Sequence, residues 1–159
     1  MAIHTELENL YYSDKNERLK ISKTNGDLKK LKKNAAQKLT LVKKLLPNID
    51  VTEIWNCHYL AYLFQHGETT EDYKKAHKYA KKAVSMGSNV TKWLYAATLD
   101  RWLVSQNKLQ KFGTQFKKTK GMWKQASVDN SITDAERLKY GVPPLNQALQ
   151  KFKEKYKES

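Results

Sequence analysis

The chain has 159 residues and carries 30 Lys and Arg against 16 Asp and Glu, a formal charge of +14. That length suits one domain, and 40% apolar residues are enough to fill its core. A single cysteine, Cys57, excludes an internal disulfide framework, and no apolar run is long enough to span a membrane.

The N-terminal stretch MAIHTELENLYYSDKNERLK lacks the apolar core of a signal peptide, so the expectation is a soluble, cytoplasmic protein with no membrane partner. The positive charge favours anionic partners: nucleic acid, anionic lipid, an acidic protein or an acidic metabolite. It is nearly all lysine, however, and it is spread along the chain. Dedicated nucleic-acid binding would favour clustering and arginine, so it is not the preferred reading.

Three prolines and six glycines leave long uninterrupted stretches whose dominant period is helical. A first helix is expected over about 4–21, with Leu7, Leu10 and Tyr11 inward, and Asn25-Gly26-Asp27 breaks it. A second, near 27–46, repeats Leu28, Leu31, Ala35, Leu39, Val42 and Leu46 among lysines, and Pro47-Asn48 ends it. The third segment, VTEIWNCHYLAYLFQHG, is apolar nearly all round and should be central, with Gly67 as a left-handed C-cap. ETTEDYKKAHKYAKKAVSMG opens on threonine caps, carries small alanines inward and stops at Gly87. This unit looks like one helical arm of a tetratricopeptide (TPR) or Sel1-like repeat, but no second unit supports a solenoid.

The fifth segment, VTKWLYAATLDRWLVSQ, is again apolar nearly all round. Rough alternation about Lys120-Gly121 predicts a short β-hairpin near 115–128. Thr133-Asp134-Ala135-Glu136 matches a capping box for a short helix, which Gly141 and Pro143-Pro144 end. A last helix follows over about 144–157. The expected fold is thus all-α: a compact bundle of about six or seven helices with a TPR/Sel1-like helical hairpin and a short β-hairpin. It forms one domain over 1–159, with N-terminal helices at 4–46, a core at 52–116, and the hairpin and C-terminal helices at 117–157.

Polar residues inside the two central helices are the informative ones. Asn56, His58, Gln65 and His66 stand in the third segment, and Thr98, Asp100 and Arg101 in the fifth. A buried charge costs several kcal/mol unless it is paired, so Asp100 and Arg101 must each find a partner. Helix neighbours point about 100° apart, which directs each of them to another segment: Gln65-His66, or the polar, uncharged turn Gly113-Thr114-Gln115. One reading is a sealed network that pins the 108–116 loop. The other is a ligand pocket. There His66 would serve as acid or base, Arg101 would clamp a carboxylate or phosphate, and Asp100 would orient either one. Gln65, Gln110, Thr114 and Gln115 would add neutral hydrogen bonds, and Gly113 would permit close backbone approach.

Other constellations are weaker. His58 and His66 are too far apart on one helix for a two-histidine metal pair. There is no HExxH, Cys/His cluster, Walker-type loop or G-x-G-x-x-G, so no metal or cofactor is expected. Cys57 and His58 face different ways. Cys57 reads as a buried thiol, Trp55, Trp93 and Trp102 as core, Trp123 as packed, and His4 and His77 as surface.

FQHG at 64–67, WLYAATLDRWLVSQNKLQKFGTQF and SITDAERLKYGVPPL, in that order, resemble the DUF6624 domain family. The family pattern runs Q-H-G/A, an alanine-rich helix, D-R-x-L, Q-x-Y/F-G-T-Q and D-x-x-R-x-x-x-G-L-x-P-L. The resemblance covers roughly 60–149, with a looser D-x-x-x-R-like match at Asp14 and Arg18. It falls on Gln65, His66, Asp100, Arg101, Gln110, Phe112, Gly113, Thr114 and Gln115, and on Asp134, Arg137, Gly141, Pro144 and Leu145. Phe112 stands where Tyr is common and Val142 where Leu is usual. The resemblance implies that these residues belong together, and it supplies no activity.

Two functions follow. The preferred one is a helical protein whose polar pocket (His66, Asp100, Arg101 and the 110–115 loop) binds an anionic small molecule, with His66 the acid–base group if it also acts on it. The alternative is a TPR-like interaction module. It would bind an acidic protein or nucleic acid through the lysines of 29–44, 74–82 and 117–124.

Overall fold

The computed structural model describes residues 2–24 and 26–155. Among these, seven α-helices and one two-stranded sheet form a compact, mostly helical fold. Asn25, in the expected first break, and 156–157, the expected end of the last helix, lie outside the described residues.

Helix α1 (Thr5–Thr24) buries Leu7 and Tyr11 and half-buries Leu10. Helix α2 (Leu28–Leu45) starts at Asp27, whose carboxylate accepts from the Lys29 and Lys30 amides, and buries Leu31, Ala35, Leu39 and Val42. Its first apolar residue, Leu28, remains 64% exposed. A single 3-10 turn at Leu46–Asn48, set by Pro47, ends it.

Helix α3 (Ile54–Gln65) is the central element: nine of its residues are buried, and α1, α2, α4 and α5 all pack on it. Cys57 lies wholly inside, and burial pushes its thiol pKa up. The expected left-handed cap at Gly67 is corrected, since Gly67 is not among the residues with positive φ. Space is what demands glycine there: a Cβ would lie 2.5 Å from the Asp72 Cβ.

Helix α4 (Thr70–Ser85) opens with a reciprocal capping box between Thr69 and Asp72. Ala76, Ala80 and Ala83 are fully buried, so the backbones of α4 and its neighbours α3 and α5 come close. Helix α5 spans Lys92–Ser105. His77 is not on the surface: it is 9% exposed, stacks on Trp102 and lies 3.2 Å from the Thr98 hydroxyl. Trp55 and Trp93 are not core, at 40% and 41% exposure, since each stands in the first turn of its helix.

The expected hairpin is present, with β1 (Phe116–Thr119) antiparallel to β2 (Met122–Gln125). Its two-residue turn has φ of +51° at Lys120 and +78° at Gly121. Two successive positive values make a type I′ turn, whose twist matches that of the strands. Helix α6 (Asp134–Lys139) starts at the expected capping box, with Thr133 and Glu136 bonded reciprocally. Helix α7 (Leu145–Lys155) packs against β2, where Phe152 stacks on Phe116 and meets Trp123 edge-on. No helix among the described residues is long and apolar enough to cross a membrane.

Candidate functional site

Asp100 and Arg101 sit at the middle of α5 and face two different spaces. Asp100 is fully buried, and four donors converge on its carboxylate. Oδ1 accepts from the amides of Lys111 (2.7 Å) and Phe112 (2.9 Å), and Oδ2 from the amide (3.0 Å) and hydroxyl (2.8 Å) of Thr114. Burial raises its pKa, while these four bonds pull the other way. Both oxygens are thus occupied by the loop, and among the described residues no hydrogen bond joins Asp100 to His66 or Arg101.

Gln110 is equally enclosed. Its Oε1 accepts from the Gln115 amide at 2.8 Å, and its Nε2 donates to the carbonyls of Gln115 (3.0 Å) and Ala126 (2.7 Å). This side chain closes the 110–115 loop as a short piece of strand would. Arg137 braces the other side, with Nε donating to the Phe112 carbonyl at 3.3 Å and NH1 to Asp134 at 3.0 Å. Gly113 sits at φ +82° with Leu145 and Gln125 against it, and a Cβ would lie 2.6 Å from the Leu145 Cδ2. Its glycine serves this close approach of two side chains.

Arg101 turns the other way. Its NH1 donates to the Gln65 carbonyl at 2.7 Å and its Nε to the Gln115 Oε1 at 3.2 Å. Gln115 is itself fixed by Thr114 Oγ1 (3.1 Å) and the Ala97 carbonyl. The guanidinium therefore joins the end of α3 to the loop that Asp100 holds. Gln65 contributes its backbone to this link, and its Oε1 is buried without a hydrogen bond among the described residues.

His66 caps the C-terminus of α3. Its ring meets Tyr62 edge-on, and its Nδ1 lies 3.4 Å from Asp14 Oδ2, an electrostatic contact without hydrogen-bond alignment. Asp14 is 1% exposed and also takes Arg18 Nε at 2.6 Å, with Lys38 Nζ 3.6 Å from its other oxygen. Burial opposes ionisation of Asp14, but the contacts from His66 and Arg18 outweigh it and hold the carboxyl at about 2. Burial lowers His66 to about 4. Asp14 opposes that shift, while Arg18 and Arg101 reinforce it. The imidazole is neutral at pH 7, between an ionised carboxylate and two guanidiniums.

Arg18, His66, Arg101, Thr114 and Gln115 together line a cavity of about 870 Å³. The cavity lies between the end of α1 and start of α2 on one side and the hairpin and α7 on the other. Its remaining wall is largely apolar, including Ile21, Leu28, Leu31, Phe116, Val142 and Phe152. Of the residues singled out from sequence, His66, Arg101, Gly113, Thr114 and Gln115 reach this space. Asp100, Gln110 and Gln65 do not line it, and they brace the residues that do.

Reading the residues for buried polar groups passed over Asp14 and Arg18, which only the family resemblance touched. A signal was present: Leu7, Tyr11, Asp14 and Arg18 follow one another at four, three and four residues, so the two charges continue the apolar stripe of α1. The cavity's aromatic wall carries no such signal, because Trp93, Phe116, Trp123 and Phe152 come from four separate elements. No group of three His, Cys, Asp or Glu arranged to hold a metal occurs among the described residues. Compared with known proteins, the chain matches no family model, no curated protein and no solved structure.

Proposed function

We propose that the protein binds a small organic anion in this cavity, with the negative group held by Arg18 and Arg101 beside His66. The observation that carries this reading is the sign of the lining. Its charged side chains are Arg18, Arg101, Lys151 and Lys155, and no Asp or Glu lines it among the described residues. Asp14 stands behind Arg18 and aims it. A guanidinium fixed by a carboxylate through Nε keeps its outer edge for a ligand, in the forked geometry that suits carboxylates and phosphates. The ordered motifs shared with the DUF6624 family converge on the same residues, and we place the chain with that family on those motifs.

A ring held at about 4 is a weak base at neutral pH, so binding rather than turnover is the function favoured. His66→Ala is expected to stay folded and lose the ligand. In a thermal-shift screen of organic acids and nucleotides, a ligand at about 100 times its Kd adds about 2.7 kcal/mol of stability, a rise of several degrees in Tm. The reading fails if nothing in the screen raises the Tm of the wild-type protein and His66→Ala unfolds.

One observation favours a second reading, the lysine-faced interaction module. Lys117 lies directly opposite Lys124 in the hairpin, and like charges so paired destabilise a sheet. Such a pair is relieved by an acidic protein or nucleic acid. That binding would weaken linearly in log affinity against log salt, and affinity for acidic polymers that ignores salt counts against it.

A further inference from the structure

Two groups of the anion site meet on one oxygen atom. Asp14 and Arg18 stand one helical turn apart on α1, so the guanidinium folds back onto the carboxylate, and Arg18 Nε donates to Asp14 Oδ2 at 2.6 Å. The C-cap of α3 brings His66 Nδ1 to 3.4 Å from the same oxygen. Arg18 gives only its Nε to Asp14, and its two terminal nitrogens make no hydrogen bond among the described residues. They offer a forked edge to a carboxylate, next to the imidazole.

The imidazole offers the opposite polarity. Burial keeps the ring neutral at pH 7, so it carries a single N–H. Asp14 is ionised there. A proton on Nδ1 faces that negative oxygen, whereas a lone pair on Nδ1 is repelled by it. The contact lacks hydrogen-bond alignment, but its sign assigns the tautomer: the proton sits on Nδ1 and the lone pair on Nε2. Nε2 makes no hydrogen bond among the described residues, and unlike Nδ1 it is not enclosed by protein. A lone pair so placed accepts from a ligand and cannot donate to one.

His66 also borders a smaller hollow of about 190 Å³ with Thr40, Lys43 and Asp72. No arginine lines that hollow, so an anion held by Arg18 meets the ring from the larger cavity. The matching ligand pairs its carboxylate with a hydrogen-bond donor close by. An ammonium is such a donor, but no Asp or Glu lines the cavity among the described residues to balance its charge, and Asp14 is 1% exposed. A hydroxyl is neutral and needs no counter-charge.

We infer that the ligand is a 2-hydroxycarboxylate, with its carboxylate on the terminal nitrogens of Arg18 and its hydroxyl donating to His66 Nε2. This rests on the anion-binding reading above, and it makes His66 the residue that selects the hydroxyl.

Calorimetric titration of the full chain tests it with four acids of one skeleton. Phenylacetate, mandelate, benzoylformate and phenylglycine differ only in the group beside the carboxylate: hydrogen, hydroxyl, ketone or ammonium. One enantiomer of mandelate is expected to bind about tenfold tighter than phenylacetate. Benzoylformate should gain nothing, because its ketone turns lone pairs toward a lone pair, and phenylglycine should gain nothing for want of a counter-ion. In His66→Phe the ratio of mandelate to phenylacetate affinity should fall to about one. The ring nitrogen resonances of His66 in the wild-type protein should place the proton on Nδ1. Equal binding of mandelate and phenylacetate, tightest binding of benzoylformate or phenylglycine, or a proton on Nε2 overturns the hydroxycarboxylate while anion binding stands. Hexanoate and 2-hydroxyhexanoate repeat the comparison on an alkyl skeleton, and if no acid of either set binds, both readings are overturned.

Discussion

Successive residues of a helix point about 100° apart, and at Asp100 and Arg101 that rotation separates a sealed space from an open one. Asp100 gathers four donors from the loop, and Arg101 reaches past it to the cavity. Replacing Asp100 with Asn exchanges an ion for an amide whose nitrogen cannot accept, so two buried donors lose their partner. The expected loss is about 3 kcal/mol, read as a lower urea midpoint at unchanged slope. Gly113→Ala should also destabilise, by about 1–3 kcal/mol, because φ is +82° and the added methyl meets Leu145. A Gly113→Ala protein as stable as the wild type would show that this approach is not tight. From sequence it was legible that Asp100 and Arg101 needed partners in other segments, since a charge in WLYAATLDRWLV cannot stay unpaired. Which one was sealed was not, because that depends on where the 110–115 loop returns.

The elements that announce themselves chemically are the ones the sequence located well. Thr69 with Asp72, Thr133 with Glu136, and the Lys120-Gly121 turn each carry their own local geometry. Gly67 and His77 are different, since both answer to a neighbouring helix. Gly67 is required by Asp72, and His77 is buried by Trp102 and Thr98 of α5. The hairpin offers a check at this scale. Gly121→Val puts a branched side chain at φ +78°, and it should loosen β1 and β2 while sparing α3, α4 and α5. Amide hydrogen exchange would then rise in the hairpin and in α7, which packs on it. Equal loss of protection in α3 would contradict this separation.

Across the whole molecule, three histidines, one within α3, one at its C-cap and one in α4, share one property. His58, His66 and His77 are each lowered to about 4, with burial the first cause in every case. Between their ordinary 6.5 and about 4, the folded chain binds fewer protons than the unfolded one. Stability from these groups is therefore full above pH 6.5 and is lost as pH falls through that window. Each contributes about 1.4 kcal/mol per pH unit, so together they approach about 4 kcal/mol per unit. Asp14, at about 2 against an ordinary 3.8, adds slope of the same sign only below about pH 5, where the unfolded carboxyl begins to take up protons. Urea midpoints taken from neutral pH down to about 5 should fall steeply, and a flat profile would mean that these rings are hydrated.

The cavity is also a property of the whole chain, because its cationic groups come from α1, α5 and α7 and its apolar wall from elements at both ends. No single segment predicts its shape, although His66, Arg101, Thr114 and Gln115 at its polar end could be named in advance. Nuclear magnetic resonance of the arginine Nε and tryptophan Nε1 groups during titration with naphthalene-1-carboxylate tests the central claim most directly. The account predicts that Arg18, Arg101, Trp93 and Trp123 shift together and saturate at one equivalent, while the enclosed Arg137 stays still. Shifts confined to lysine-bearing segments such as 74–82 and 117–124, with both cavity arginines unmoved, would contradict it.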